Sequence, residues 1–161
     1  METSHIYPGA YPLNAYITIK GCSDAIEFYK KAFGATERGR LLTPNGLVGH
    51  AEILIEGSLL MMADENLDWG NKSPQTIGGN PMTFGLYVKD ADKVFQKAVD
   101  AGATVLMPIE DMFYGDRVGQ VMDPFGYKWM ITTHKEDMSF EEMQRRFDKM
   151  FTEENQMKEK A

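Results

Sequence analysis

The chain repeats itself. Ser23-Asp24-Ala25-Ile26 leads to Gly34-Ala35-Thr36, and Ala91-Asp92-Lys93-Val94 leads to Gly102-Ala103-Thr104, 68 positions further on. Val48-Gly49-His50 lines up with Val118-Gly119-Gln120 at an offset of 70, and Gly57 with Gly126 at 69. An ordered series at a near-constant offset marks two copies of one supersecondary unit, each with the same kind of face to bury. His50 and Gln120 are repeat-related partners in this alignment.

Each half reads alike. Tyr16-Ile17-Thr18-Ile19 alternates as a half-buried strand does. Asp24 with Glu27 three residues later opens a helix that carries Ile26, Tyr29 and Phe33 on one face and stops at Gly34. Thr36 to Leu42, Val48 to Ile55 and Ser58 to Ala63 read as strands, parted by Thr43-Pro44-Asn45-Gly46 and Glu56-Gly57. In the second half Phe84 to Val88 is a strand, and Asp90 caps a helix carrying Val94, Ala98 and Ala101. Thr104 to Met107 is a strand that Pro108 limits, and Arg117 to Met122 is the next. Asp123-Pro124-Phe125-Gly126 has type I turn chemistry, and Trp129 to Thr132 lies in the last strand. The organisation is a βαβββ module over 12–66, a linker over 67–81 and a second βαβββ module over 82–134. Ser139 with Glu142 forms a capping box for an amphipathic helix over 138–157, with Phe140, Met143, Phe147, Met150 and Phe151 at helical spacing. Packing of that helix on its own chain is preferred to packing on a partner.

Composition narrows the function. The 161 residues suit one domain, and 17 basic against 24 acidic side chains give a net charge of −7. No basic field exists to neutralise phosphates, so neither nucleic acid nor an anionic membrane is an expected partner. The single cysteine, Cys22, excludes an intrachain disulfide and a Cys-based zinc site and suits a reducing compartment. Met1 to His5 lacks the basic and apolar regions of a signal peptide, and no apolar run nears the ~18 residues of a membrane span, so the expected location is cytoplasmic.

Five segments carry a family resemblance: Ile26-Glu27-Phe28-Tyr29 through Phe33-Gly34-Ala35, Gly49-His50-Ala51-Glu52, Tyr114-Gly115-Asp116-Arg117, Asp123-Pro124-Phe125-Gly126-Tyr127-Lys128-Trp129, and Thr133-His134-Lys135-Glu136-Asp137. Over about residues 12–150 the chain resembles the vicinal oxygen chelate superfamily, which holds the glyoxalases, bleomycin-resistance proteins and dioxygenases, and its PhnB-like branch above all. The resemblance implies an α+β fold: two βαβββ modules forming a curled mixed-sheet cleft, with the C-terminal helix added. It also implies a homodimer, with modules paired within or across chains. Metal-dependent members take His, Glu or Gln from the first and last strand of each module. Those positions carry over to Asn14 or Ala15, Met61 or Met62, Thr83 and Met130, and thioethers and a Thr hydroxyl are poor ligands for zinc, nickel or manganese. No metal or other cofactor is expected, nor the glyoxalase I reaction.

His50 and Glu52, two apart on a strand, share a face and are the candidate catalytic bases. As metal ligands they would need a third, from Asp64 or His134. Alternation turns Val48, His50, Glu52 and Leu54 to the cleft and Ala51, Ile53 and Ile55 to the helix; Val118, Gln120 and Met122 face the cleft while Gly119 and Val121 lie behind. The ligand-binding set is Tyr16, Gln120, Met122 and Met130, with the loop aromatics Tyr114 and Trp69 closing over a planar ligand. Met61, Met62, Met112, Met122 and Met130, out of 12 methionines, lie on or near cleft strands and give a soft wall. Asp116 and Arg117 read as an ion pair, and Cys22 as an inert thiol. The expected function is metal-free binding, or sequestering, of a small molecule. The alternative is a lyase, isomerase or dioxygenase with a non-standard site at His50 and Glu52.

Overall fold

Strands that alternate apolar and polar residues have one face to cover, and each half supplies one helix of matching length. The computed structural model describes residues 4–158. The first half holds β1 (Ala15–Ile19), α1 (Cys22–Phe33), β2 (Thr36–Leu42), β3 (Val48–Ile55) and β4 (Ser58–Asp64). A short α2 (Pro74–Ile77) precedes β5 (Thr83–Tyr87), α3 (Ala91–Asp100), β6 (Thr104–Asp111), β7 (Asp116–Met122) and β8 (Lys128–His134), and α4 (Phe140–Lys158) follows. Ile17, Ile19, Ala51, Ile53, Ile55 and Met62 are buried with Ile26 and Tyr29 of α1. Met62 is therefore core, while Met61 turns to the other face of β4.

The two sheets have the same order, β1-β4-β3-β2 and β5-β8-β7-β6, with the first strand of each parallel to the last and the others antiparallel. They are separate four-stranded sheets, so the curled sheets do not close into one cleft. The modules meet through their helices instead. α1 packs on α3, the Phe33 and Trp129 rings lie 4.5 Å apart, and Tyr127 donates to the Thr18 carbonyl at 2.9 Å. Asp123 is the hub of this junction. Its carboxylate accepts from Tyr29 Oη at 2.8 Å, Trp129 Nε1 at 2.9 Å, and the Phe125 and Tyr127 amides, each at 2.9 Å. Burial raises its pKa all the same, against those four donors.

The ladders correct the repeat alignment. Glu52 pairs with Met61 and Gln120 with Met130, while Ala51 pairs with Met62 and Gly119 with Ile131. Glu52, not His50, therefore matches Gln120, and His50 matches Val118. A slip of two residues keeps every side chain on its own face, so alternation could not detect it. Pro108 does not end its strand either. β6 is an edge strand, and its register shift between Met107 and Glu110 absorbs the missing donor.

Local caps differ from the sequence signals in two places. α1 starts at Cys22 behind Gly21 with no cap of its own; Asp64 at the end of β4 accepts from the Gly21 amide at 3.0 Å and the Cys22 amide at 2.8 Å. The linker holds α2, capped by Ser73 with Pro74 in its first turn, a Ser-Pro signal that reads locally as loop. Ser139 caps α4 as expected, and the helix docks by Phe147 on Phe113 at 5.3 Å and by Arg146 on the Phe113 carbonyl and Glu136.

Candidate functional site

The face of the first sheet away from α1 carries a line of polar side chains. β1 supplies Tyr16 and β3 supplies His50 and Glu52, brought to one face by strand alternation. Tyr16 Oη lies 3.2 Å from His50 Nδ1, and His50 Nε2 lies 3.5 Å from Glu52 Oε1. Arg38 of β2 reaches Glu52 Oε2 at 3.1 Å. Arg38 follows Glu37, whose partner Ile53 faces the helix, so alternation turns Arg38 to the open face, and the bulge at Arg38-Gly39 lies opposite Glu52. The N-terminal segment lies on the guanidinium: Arg38 donates to the Pro8 carbonyl at 2.9 Å and sits 5.3 Å from the Tyr7 ring centre.

Two hollows flank the Tyr16–His50 bond. One, of about 450 Å³, is lined by Tyr7, Arg38, Leu41, His50 and Glu52. The other, of about 240 Å³, is lined by Tyr16, Thr43, Leu47, Val48, Ala63 and Trp69. The turn carrying Trp69 is closed by the Asn66–Asn71 bridge and by the Asn66 side chain accepting from the Trp69 amide. Trp69 itself is 80% exposed and Tyr16 52%, so two aromatic faces stand free beside one hollow. Burial, with Cys22 nearby, holds the Tyr16 phenol above its usual range, so it stays protonated at neutral pH.

The residues present do not fit the metal of the superfamily. The inward pairs on first and last strands are Tyr16 with Met61 and Gly85 with Met130. A phenol, two thioethers and a residue without a side chain make a poor donor set for a hard or borderline cation. His50 and Glu52 do stand together, but Tyr16 and Arg38 already occupy them. Neither proposed third ligand joins them: Asp64 accepts three amides, from Gly21, Cys22 and Val48, and His134 is held by Asp116 at 2.7 Å and Asp137 at 2.9 Å. Among the described residues no three His, Cys, Asp or Glu side chains gather as a metal-binding group.

The expected ligand-binding set divides between the two sheets. Tyr16 and Trp69 share a hollow. Gln120 and Met130 are cross-strand neighbours on the second sheet, Met122 pairs with Lys128, and Tyr114 packs on Phe113 at 5.0 Å; none of these four lines the Tyr16 hollow. The two sheets share no strand pairing, so no ladder carries the Tyr16 hollow onto the second sheet. Asp116 and Arg117 do not pair, because neighbours on a strand point to opposite faces. Asp116 takes His134 and the Tyr87 hydroxyl, and Arg117 takes Asp92 at 2.6 Å and Asp111 at 3.2 Å. The buried Cys22 thiol is pushed up to about 12, by burial first and then by Asp64, so it is no nucleophile. Sequence reasoning missed Arg38 and Tyr7: alternation in β2 carries the one, but its place beside Glu52 needs the β2–β3 register, and the other packs from a segment with no periodic signal.

Comparison with known proteins agrees with this architecture. An uncharacterised Mycobacterium bovis protein, Mb0911c, is 40% identical over 135 residues, 82% of this chain and 89% of its own. The solved structure of the Arabidopsis thaliana At5g48480 product superposes with a TM-score of 0.62 at 32% identity, over 78% of this chain and 98% of that one. The PhnB protein of Bacillus cereus superposes with a TM-score of 0.60 at 19% identity, over 76% and 99%, a likeness of fold. The sequence model of the Glyoxalase/Bleomycin resistance protein/Dioxygenase superfamily matches residues 13–131. With two βαβββ units in the expected order, the chain belongs to that superfamily.

Proposed function

We propose that this chain, a PhnB-like member of the superfamily, is a metal-free small-molecule-binding protein that seats a planar, largely apolar ligand against Tyr16 and Trp69 on the first module. The observation that carries the reading is the pair of free aromatic faces beside one hollow, continued by a polar hollow across the Tyr16–His50 bond. Stacking on such faces tolerates a range of ring systems. Met61, paired with Tyr16 on the same face, is the softer wall a larger ligand would meet. A second copy of the chain belongs to this reading, since Leu41, Leu42 and Tyr87 leave apolar area exposed. The reading is preferred to the lyase, isomerase or dioxygenase because Glu52 is committed to Arg38 and His50 to Tyr16.

A thermal-shift screen of planar aromatic and quinone-like compounds tests it, repeated on Trp69→Ala. Stabilisation that grows with ligand concentration and is lost in the variant is the expected result. No stabilisation by any such compound overturns it. Metal content by mass spectrometry tests the alternative: a stoichiometric transition metal lost in His50→Ala would favour the enzyme.

A further inference from the structure

The Tyr16–His50–Glu52 line fixes more than a surface for stacking. Glu52 meets Arg38 with one oxygen at 3.1 Å and the imidazole Nε2 with the other at 3.5 Å. A carboxylate only accepts hydrogen bonds, so a neutral imidazole must carry its proton on Nε2; the other tautomer would aim a lone pair at Glu52. Nδ1 is then the acceptor, and the 3.2 Å contact is a bond donated by the Tyr16 hydroxyl. With its proton turned inward, Tyr16 offers a ligand only lone pairs. Other polar groups around the hollow have partners of their own: Asp64 accepts the Gly21, Cys22 and Val48 amides, Glu65 accepts from Ser73 and Thr76, the Thr43 hydroxyl donates to Asn45, and Asn66 Oδ1 accepts from the Trp69 amide at 3.1 Å.

We propose that this hollow selects planar ligands carrying a hydroxyl donor, phenols in particular, over the same ring bearing an ether, and that His50 is the positioning residue that sets the preference. This rests on the reading above that a planar ligand seats between Tyr16 and Trp69. The donor would meet the Tyr16 oxygen while the ring lies on the exposed indole.

Calorimetric titration near neutral pH with β-naphthol and its methyl ether tests the proposal. The two probes share one ring system and differ in the donor. Naphthol is expected to bind about tenfold more tightly than the ether, the scale of one hydrogen bond. Tyr16→Phe keeps the ring and removes the acceptor, so the two probes should then bind within about twofold of each other. His50→Leu releases the Tyr16 hydroxyl to donate outward, so the preference should vanish or invert, which a merely structural role for His50 would not produce. Equal binding of both probes to the unaltered protein overturns the donor preference and leaves the stacking reading standing. A preference that survives Tyr16→Phe overturns it too. Failure of both probes to bind overturns the inference together with the reading beneath it.

Discussion

The two modules share a backbone and differ in what they place on the open face. Behind the sheets the copies match: Ala51 with Gly119, Ile53 with Val121, Met62 with Ile131, all buried, with the Phe95 ring packed where Gly119 has no side chain. On the faces turned away from the helices they diverge: Tyr16 against Gly85, His50 against the buried Val118, Glu52 against Gln120, Ala63 against the buried Thr132. Only the Met61–Met130 match is kept. Core positions answer to packing, which both copies need alike. The open face answers to something packing does not impose, and only the first module dresses it with an acid, a base, a phenol and a guanidinium in contact. The second module puts its charged network at the far end of β7 and β8, where His134, Asp116, Asp137 and Tyr87 tie the chain that leads to α4. That network ties the fold together, whereas the first module's is the one proposed above as a site.

Four substitutions break or sharpen this contrast. Asp123→Ala should have the largest effect, because it strands the buried Tyr29 hydroxyl and Trp129 indole at the junction of the modules. A loss of about 3–5 kcal/mol in denaturant unfolding is expected. Gly119→Ala comes next. A Cβ there would stand 2.6 Å from the Phe95 ring of α3 and 3.2 Å from Ile109. The overpacking should cost about 1–3 kcal/mol, although the first module carries Ala51 at the matching place without penalty. Thr132→Val should go the other way. The Thr132 hydroxyl is buried with no hydrogen-bond partner among the described residues, and its counterpart is the apolar Ala63, so an isosteric methyl should stabilise by about 1 kcal/mol in the same assay.

His134→Gln should have the smallest effect, and it should show in pH dependence. Asp137 first and Asp116 second raise the His134 pKa above its ordinary value. The imidazolium is therefore better bound in the folded state than in the unfolded chain. Its contribution is fully present below the unfolded pKa of about 6.5 and is lost as pH rises through the higher folded value. The melting temperature of the unaltered protein should fall across that window relative to the Gln variant, and an unchanged difference across it would remove His134 from the account.

Much of the fold could be read from periods and turns. The alternation of Ile17 with Ile19 and of Ala51 with Ile53 and Ile55, and the helical spacing of Ile26, Tyr29 and Phe33, located strands and helix because burial imposes those periods. What needed tertiary contact stayed hidden. Asp64 caps α1 from another strand, and Asp123 reads as a turn residue while also holding two modules together. The site was half legible. His50 and Glu52 share a face by arithmetic, whereas Arg38 joins them through the β2–β3 register, and Tyr16 and Trp69 line a hollow of the first module while Gln120, Met122 and Met130 lie on the second sheet, a division that only the fold shows.

The most direct test of the claim that the first module holds the ligand is a heteronuclear NMR titration with a planar aromatic such as β-naphthol. The chain has two tryptophans, with Trp69 80% exposed and Trp129 only 3%. The Trp69 indole and the Gly49 amide should shift while Trp129, Gly85 and Gln120 stay still. Shifts gathered on Gly85, Gln120 and Met130, with Trp69 unmoved, would place the ligand on the second module and contradict the account.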